Sequence, residues 1–122
     1  MRGDLRIADA PVRARWDWGW LDGCFGESRI SASDIDAIWE RHGWFLVFEI
    51  KKPDETLYQG QLLLLRALSA STNTSVYVIR GLRNEPLTIA EVSPLGLGEE
   101  FQTSRAGIRA LVSDWYAKAN AA

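Results

Sequence analysis

Acidic and basic side chains concentrate in residues 33–52, SDIDAIWERHGWFLVFEIKK. Asp36 and Glu49 supply carboxylate oxygens, which Mg²⁺ prefers as ligands, and Lys51 supplies an ammonium group that can stabilise negative charge. Hydrolysis of a phosphodiester uses both, because water must be activated while charge develops on the phosphate. These residue types therefore predict metal-assisted hydrolysis, provided that the fold brings them together.

A β-hairpin is the local structure that could do so. Two short apolar runs, 35–39 and 44–50, flank the polar residues Arg41, His42 and Gly43, and this composition is typical of a hairpin. If His42 and Gly43 form a two-residue loop, the two strands pair outward from that loop in a fixed register.

The predicted register sets Asp36 opposite Glu49 and Asp34 opposite Lys51. Side chains alternate between faces along a strand, so all four project from one face. Two carboxylates roughly 5 Å apart repel each other unless a cation lies between them. The register favours Asp36 over Asp34 as the partner of Glu49 and predicts a metal ion beside the pair.

The predicted ligands of this metal are oxygen atoms. Asp36 and Glu49 are two of them, and the backbone carbonyl of Ile50 could be a third. Mg²⁺ binds proteins through one or two carboxylates and keeps several waters, so this set suits Mg²⁺ or Mn²⁺. Lys51 points the same way as Glu49, where it would meet the developing phosphate charge.

The spacing of Asp36, twelve residues and then Glu49-Ile50-Lys51 resembles the signature of the PD-(D/E)XK nucleases. The run DAIWERHGWFLVFEIK is especially similar to nuclease domains of the RecB and Cas4 type. The resemblance implies a restriction-endonuclease-like α/β core with a mixed central sheet flanked by helices. It also implies a Mg²⁺- or Mn²⁺-dependent DNA nuclease, of the compact kind found in phage recombination and repair systems or in structure-specific resolvases.

The resemblance extends to residues outside the hairpin. Such families carry a Gln early in the next helix, and Gln61 is best placed to match it and to orient the water or the scissile phosphate. They also use an acidic residue from the preceding helix, for which Asp17, Asp22 and Glu27 compete. Asp34 could support the metal ligands, or replace Asp36 as a ligand if the register slips. Lys52 and Arg80 could contact substrate phosphates, although a solvated surface charge is the expected role of each.

The rest of the chain predicts the order α-β-β-α-β-β-α. Helices are expected at 11–22, 57–70 and 99–119, and further strands at 75–81 and 87–92, the first of these reached by a parallel crossover. Residues 84–86 are expected to form a turn, and Gly96 and Gly98 a loop. Core positions are predicted for Trp20, Trp39, Phe101, Ile108, Leu111, Val112 and Trp115, and an exposed position for Trp18.

Length and composition limit the possible classes of protein. The 122 residues predict one domain spanning 1–122, with residues 1–8 loose, and 47% hydrophobic and 25% charged residues are typical of a globular protein. The single Cys24 predicts no internal disulfide, and charges near the N-terminus disfavour a signal peptide, so a cytoplasmic protein is expected. A net charge of −2 argues against indiscriminate DNA binding, and a homodimer or a larger DNA-processing partner is expected.

Two other interpretations of the hairpin remain open. In one, the chain keeps the nuclease fold but serves as a non-catalytic module that binds DNA or a protein partner. In the other, an unrelated α/β interaction protein carries Asp36, Glu49 and Lys51 as a salt-bridged ladder on an exposed sheet face, worth roughly 0.2–1 kcal/mol per pair. Phe45 and Val47 would share that face, which favours a covered face over an exposed one.

Overall fold

A computed structural model describes residues 17–122, which divide after Ser33 into two compact units. Residues 17–33 contain one turn of 3₁₀ helix, Gly19–Leu21. Oδ1 of Asp17 accepts a hydrogen bond of 2.7 Å from the Gly19 amide, a local bond that competes with helix formation. The prediction of a helix over 11–22 is therefore wrong for residues 17–22, and residues 11–16 lie outside the described part.

Residues 34–122 form a five-stranded mixed sheet with two helices, which confirms the α/β class. The elements are β1 (Ala37–Arg41), β2 (Trp44–Lys51), α1 (Gln59–Ser69), β3 (Thr74–Leu82), β4 (Glu85–Ser93), β5 (Gly96–Gln102) and α2 (Arg105–Ala121). The strands lie side by side in chain order, with β2 and β3 parallel and the other neighbours antiparallel. Within residues 17–122, neither helix combines the length and apolar character that a membrane span requires.

The hairpin of β1 and β2 has the predicted two-residue loop. His42 and Gly43 both take positive φ, 53° and 82°, the conformation of a turn that matches the twist of a hairpin. Arg41 pairs with Trp44, and the register runs outward to Ala37 and Phe48. This is the register that the sequence predicts, and Asp36 is the residue directly before β1.

Both faces of the sheet are covered. On one face, Val47 packs with Val76, Val78 and Val92 against Leu65 of α1. The other face is covered by α2, and the packed side chains are Leu46, Phe48, Ile79, Ile108, Leu111, Val112 and Trp115. Strand β2 is covered on both sides, and its sequence is accordingly an almost continuous apolar run. Glu49 and Lys51 are the charged exceptions, and they lie on the face under α1 rather than on an exposed face.

The segment before α2 differs from its prediction. Residues 96–102 form β5 along β4, and the helix begins at Arg105 rather than at residue 99. Ser104 is the N-cap, and its hydroxyl accepts a hydrogen bond from the Gly107 amide. Phe101 is consequently 58% exposed on a strand and is not a core residue of the helix.

Two further predictions need correction. The turn between β3 and β4 contains only Arg83 and Asn84, and residues 85 and 86 already belong to β4. Trp20 and Trp39 are 69% and 42% exposed, so neither is a core residue. Trp39 lies on β1, an edge strand of the sheet that the described residues form, and Trp115 alone of the three packs into the core as predicted.

Candidate active site

Asp36 and Glu49 meet where β2 approaches its C-terminal end. Oδ2 of Asp36 accepts a hydrogen bond of 2.8 Å from the Ile50 amide, which fixes its carboxylate across the hairpin from Glu49. Asp36 is exposed, whereas Glu49 is buried, with 8% of its surface accessible. The pair is therefore open to solvent on the Asp36 side and closed on the Glu49 side.

The proximity of the two carboxyl groups alters the protonation of Glu49. Burial raises the pKa of Glu49 above its usual value, and the negative charge of Asp36 raises this pKa further. The positive charge of Lys51 acts on it in the opposite direction. The net direction is upward, so Lys51 does not offset the combined effect of burial and of the Asp36 charge on the pKa of Glu49.

Lys51 is held among three acceptors. Its Nζ donates a hydrogen bond of 2.9 Å to Oε1 of Gln61 and lies 3.7 Å from Oε2 of Glu49 and 3.5 Å from Oε2 of Glu55. Only 5% of the residue is accessible. A lysine is rarely buried without ionic partners, and here two carboxylates and an amide oxygen supply them.

Gln61 connects Lys51 to Glu49 from the first turn of α1. Its Oε1 accepts from Lys51, and its Nε2 donates a hydrogen bond of 3.1 Å to Oε2 of Glu49. Oε1 also accepts from the Tyr58 amide at 3.3 Å, one of the backbone donors that a helix start leaves unpaired. One amide group thus supports both the helix terminus and the charged pair on β2.

The structure therefore brings together Asp36, Glu49, Lys51 and Gln61, the four residues for which the sequence predicts a catalytic role. Other candidates are not part of this group. Asp34 is exposed ahead of β1, and Lys52 lies in the turn after β2.

The remaining predicted ligands stay predictions. Ile50 pairs with Ile79 of β3, and the role of its carbonyl is untested. The three acids considered for the first helix, Asp17, Asp22 and Glu27, belong to residues 17–33. Residues 17–122 contain no cluster of three or more His, Cys, Asp or Glu side chains that could hold a metal ion.

Two neighbours of Lys51 are not predicted from the sequence. Glu55 pairs with Lys51, and Arg80, which the sequence offers only as a phosphate contact or a surface charge, lies directly beside Lys51 on the parallel strand β3. The turn-forming residues 53–55 could have drawn attention to Glu55, because a turn there returns the chain towards β2. Nothing in the sequence sets the β2–β3 register, so Arg80 carried no such signal.

Comparisons with known proteins do not assign this chain to a family. No protein-family model, no curated protein and no solved structure matches the chain. The function must therefore be inferred from the chemistry of the site itself.

Proposed function

We propose that the protein is a metal-dependent DNA nuclease with a restriction-endonuclease-like core of the PD-(D/E)XK type. One observation carries the proposal: two carboxylates, a buried ammonium and an amide, drawn from the hairpin and from α1, converge at one end of β2. A role in phage-type recombination or repair, or in structure-specific cleavage, belongs to the same proposal.

The residues present suit Mg²⁺ or Mn²⁺. Burial raises the pKa of Glu49 and the negative charge of Asp36 raises it further, and a cation bound between the two carboxylates would relieve their repulsion. Two carboxylates are the usual protein contribution to a Mg²⁺ site, with water as the other ligands. Asp36 and Glu49 would hold the ion, with the Ile50 carbonyl as a possible further ligand. When bound, such an ion supplies an activated water at neutral pH and charge for the phosphate oxygens.

The chain's own residues would divide the remaining tasks. Lys51 would stabilise the negative charge that develops on the phosphate, since its ammonium lies beside the carboxylates in a site that excludes most water. Gln61 would hold Lys51 and Glu49 in fixed relative positions and could orient the water or the phosphate. Substrate would approach from the side of Asp36, which is the exposed member of the pair.

Cleavage of labelled DNA tests the proposal. Single-stranded, duplex and branched DNA would be incubated with Mn²⁺ or Mg²⁺ and the wild-type protein, Lys51→Met, or Lys118→Met as the control. Lys118 is exposed on α2 and its substitution removes the same charge. We expect Lys51→Met to lower the cleavage rate about 10²- to 10³-fold, the usual effect of removing one stabilising charge, and Lys118→Met to leave the rate unchanged. Equal rates for wild type and Lys51→Met on every substrate would overturn the proposal.

A non-catalytic module that binds DNA or a protein partner is the second candidate. It is favoured by the way the polar groups satisfy one another, since Lys51, Gln61 and Glu49 form a closed set of contacts that needs no ligand. Retained DNA binding with no metal-dependent cleavage by the wild-type protein would support the module and exclude the nuclease.

A further inference from the structure

Arg80 directs its guanidinium towards protein backbone rather than towards solvent. Its Nη1 donates hydrogen bonds to the carbonyls of Lys52, at 3.0 Å, and of Glu55. Only 19% of its side chain is accessible. Arg80 is therefore not a free surface charge, because its guanidinium already bonds to the protein itself.

The segment that Arg80 contacts is a tight turn, residues 52–55. The Glu55 amide donates to the Lys52 carbonyl at 3.1 Å, and Pro53 occupies the second position, where its fixed φ favours such a turn. The Lys52 amide in turn donates to Oε1 of Glu55 at 2.9 Å. These bonds leave Oε2 of Glu55 directed at the Nζ of Lys51, 3.5 Å away.

The other side of Arg80 is held from the far strands of the sheet. Oε2 of Glu100, on β5, lies 3.6 Å from Nε of Arg80 and accepts a hydrogen bond of 2.9 Å from Thr88 of β4. Thr88 pairs directly with Arg80 in the sheet. A continuous set of contacts thus runs from β5 through Arg80 and the turn to Lys51.

We infer that Arg80 is a positioning residue that holds the turn 52–55, and through Glu55 keeps Lys51 in its place at the candidate site. The catalytic part of this inference rests on the proposed nuclease function. Arginine suits the task because its planar fork can bond two carbonyls and a carboxylate together, which the single ammonium of lysine does not reproduce. Arg80→Lys should therefore keep the charge but lose the effect.

The test compares Arg80→Met and Arg80→Lys with wild type and with Arg83→Met. Arg83 is exposed in the β3–β4 turn, so its substitution removes a charge near the same edge without touching the turn 52–55. Two measurements need no activity: hydrogen exchange of the Lys52 and Glu55 amides, which the turn holds, and the ¹H–¹⁵N signal of the Lys51 ammonium, which stays visible only when the group is held. We expect both Arg80 variants to exchange at least tenfold faster in the turn and to lose the Lys51 signal.

Kinetics complete the test in an active enzyme. We expect both Arg80 variants to lower kcat about tenfold or more with little change in KM, because a displaced Lys51 weakens transition-state stabilisation more than substrate binding. Exchange and a Lys51 signal equal to wild type, or an unchanged kcat despite a loosened turn, would overturn the inference. A wild type that cleaves nothing would instead overturn the proposed function, and the two spectroscopic measurements would still decide whether Arg80 holds the turn and Lys51.

Discussion

Gln61 donates a hydrogen bond of 3.1 Å to Glu49, a residue twelve positions earlier that lies on a different element of the fold. The same amide accepts from Lys51, so α1 is joined to β2 by polar contacts as well as by its apolar face. Removal of this amide would leave a buried carboxyl group and a buried ammonium each short of one partner.

Gln61→Leu should therefore destabilise the protein by about 1–3 kcal/mol, the usual cost of leaving buried polar groups unpaired. Gln59→Leu is the matched control, because Gln59 is exposed in the first turn of the same helix. Urea denaturation measures both, and a Gln61→Leu protein as stable as Gln59→Leu would contradict the bridging role.

Mn²⁺ should bind to the Asp36–Glu49 pair with loss of affinity when either carboxylate is neutralised. We expect Asp36→Asn and Glu49→Gln each to weaken binding at least tenfold in calorimetry, because each removes one charged ligand. Asp114→Asn, an exposed substitution on α2, is the charge-matched control and should bind as wild type does. Asp34→Asn should also resemble wild type, since Asp34 lies outside the group of contacts. If Asp34→Asn weakened Mn²⁺ binding more than Asp36→Asn, Asp34 rather than Asp36 would be the metal ligand.

The metal-free protein should lose the stabilising contribution of Glu49 as pH rises. The pKa of Glu49 is raised above 4.5 in the folded state, by burial first and by Asp36 second, so the folded state binds this proton more tightly than the unfolded state. The contribution is complete below about pH 4.5 and declines as pH rises through the folded pKa. The difference in unfolding free energy between wild type and Glu49→Gln should therefore fall from pH 4 to pH 7 in buffers with a chelator. If this difference in unfolding free energy rose from pH 4 to pH 7 instead, the pKa of Glu49 would not be raised in the folded state.

Glu55 provides an internal comparison for that experiment. Its pKa is lowered, chiefly by the hydrogen bond from the Lys52 amide, and Lys51 acts in the same direction. Its contribution is present above its unfolded pKa of about 4.5 and is lost as pH falls through its lower folded pKa, so this comparison extends the series below pH 4. The difference between wild type and Glu55→Gln should therefore change with pH in the opposite sense to that for Glu49→Gln.

Replacement of Gly43 in the hairpin loop by alanine should destabilise the folded protein. Gly43 has a φ of 82°, and an L-residue there pays about 1–2 kcal/mol. Gly60→Ala is the control, because Gly60 lies in α1 with open space around a Cβ and should be neutral or stabilising by up to about 1 kcal/mol. Thermal or urea unfolding of both variants checks this, and equal stability would contradict the loop conformation.

Several elements could be predicted because their causes are local. The loop at His42 and Gly43 sets the hairpin register, and alternation along β2 then sets Glu49 and Lys51 on one face. The apolar pattern of residues 57–70 marks α1, which occupies Gln59–Ser69. Strand β5 was not predicted because Gly96 and Gly98 are weak strand formers and its exposed residues show no apolar alternation.

The sequence by itself determined the hairpin, its register and the residue types available for metal and phosphate chemistry. Only the tertiary structure decided that Gln61 reaches back to Lys51 and Glu49, that Glu55 pairs with Lys51, and that Arg80 lies beside Lys51. The physical reason is range, since a turn and a strand pattern act over a few residues. The parallel β2–β3 pairing and the burial under α1 depend on contacts between segments far apart in the chain.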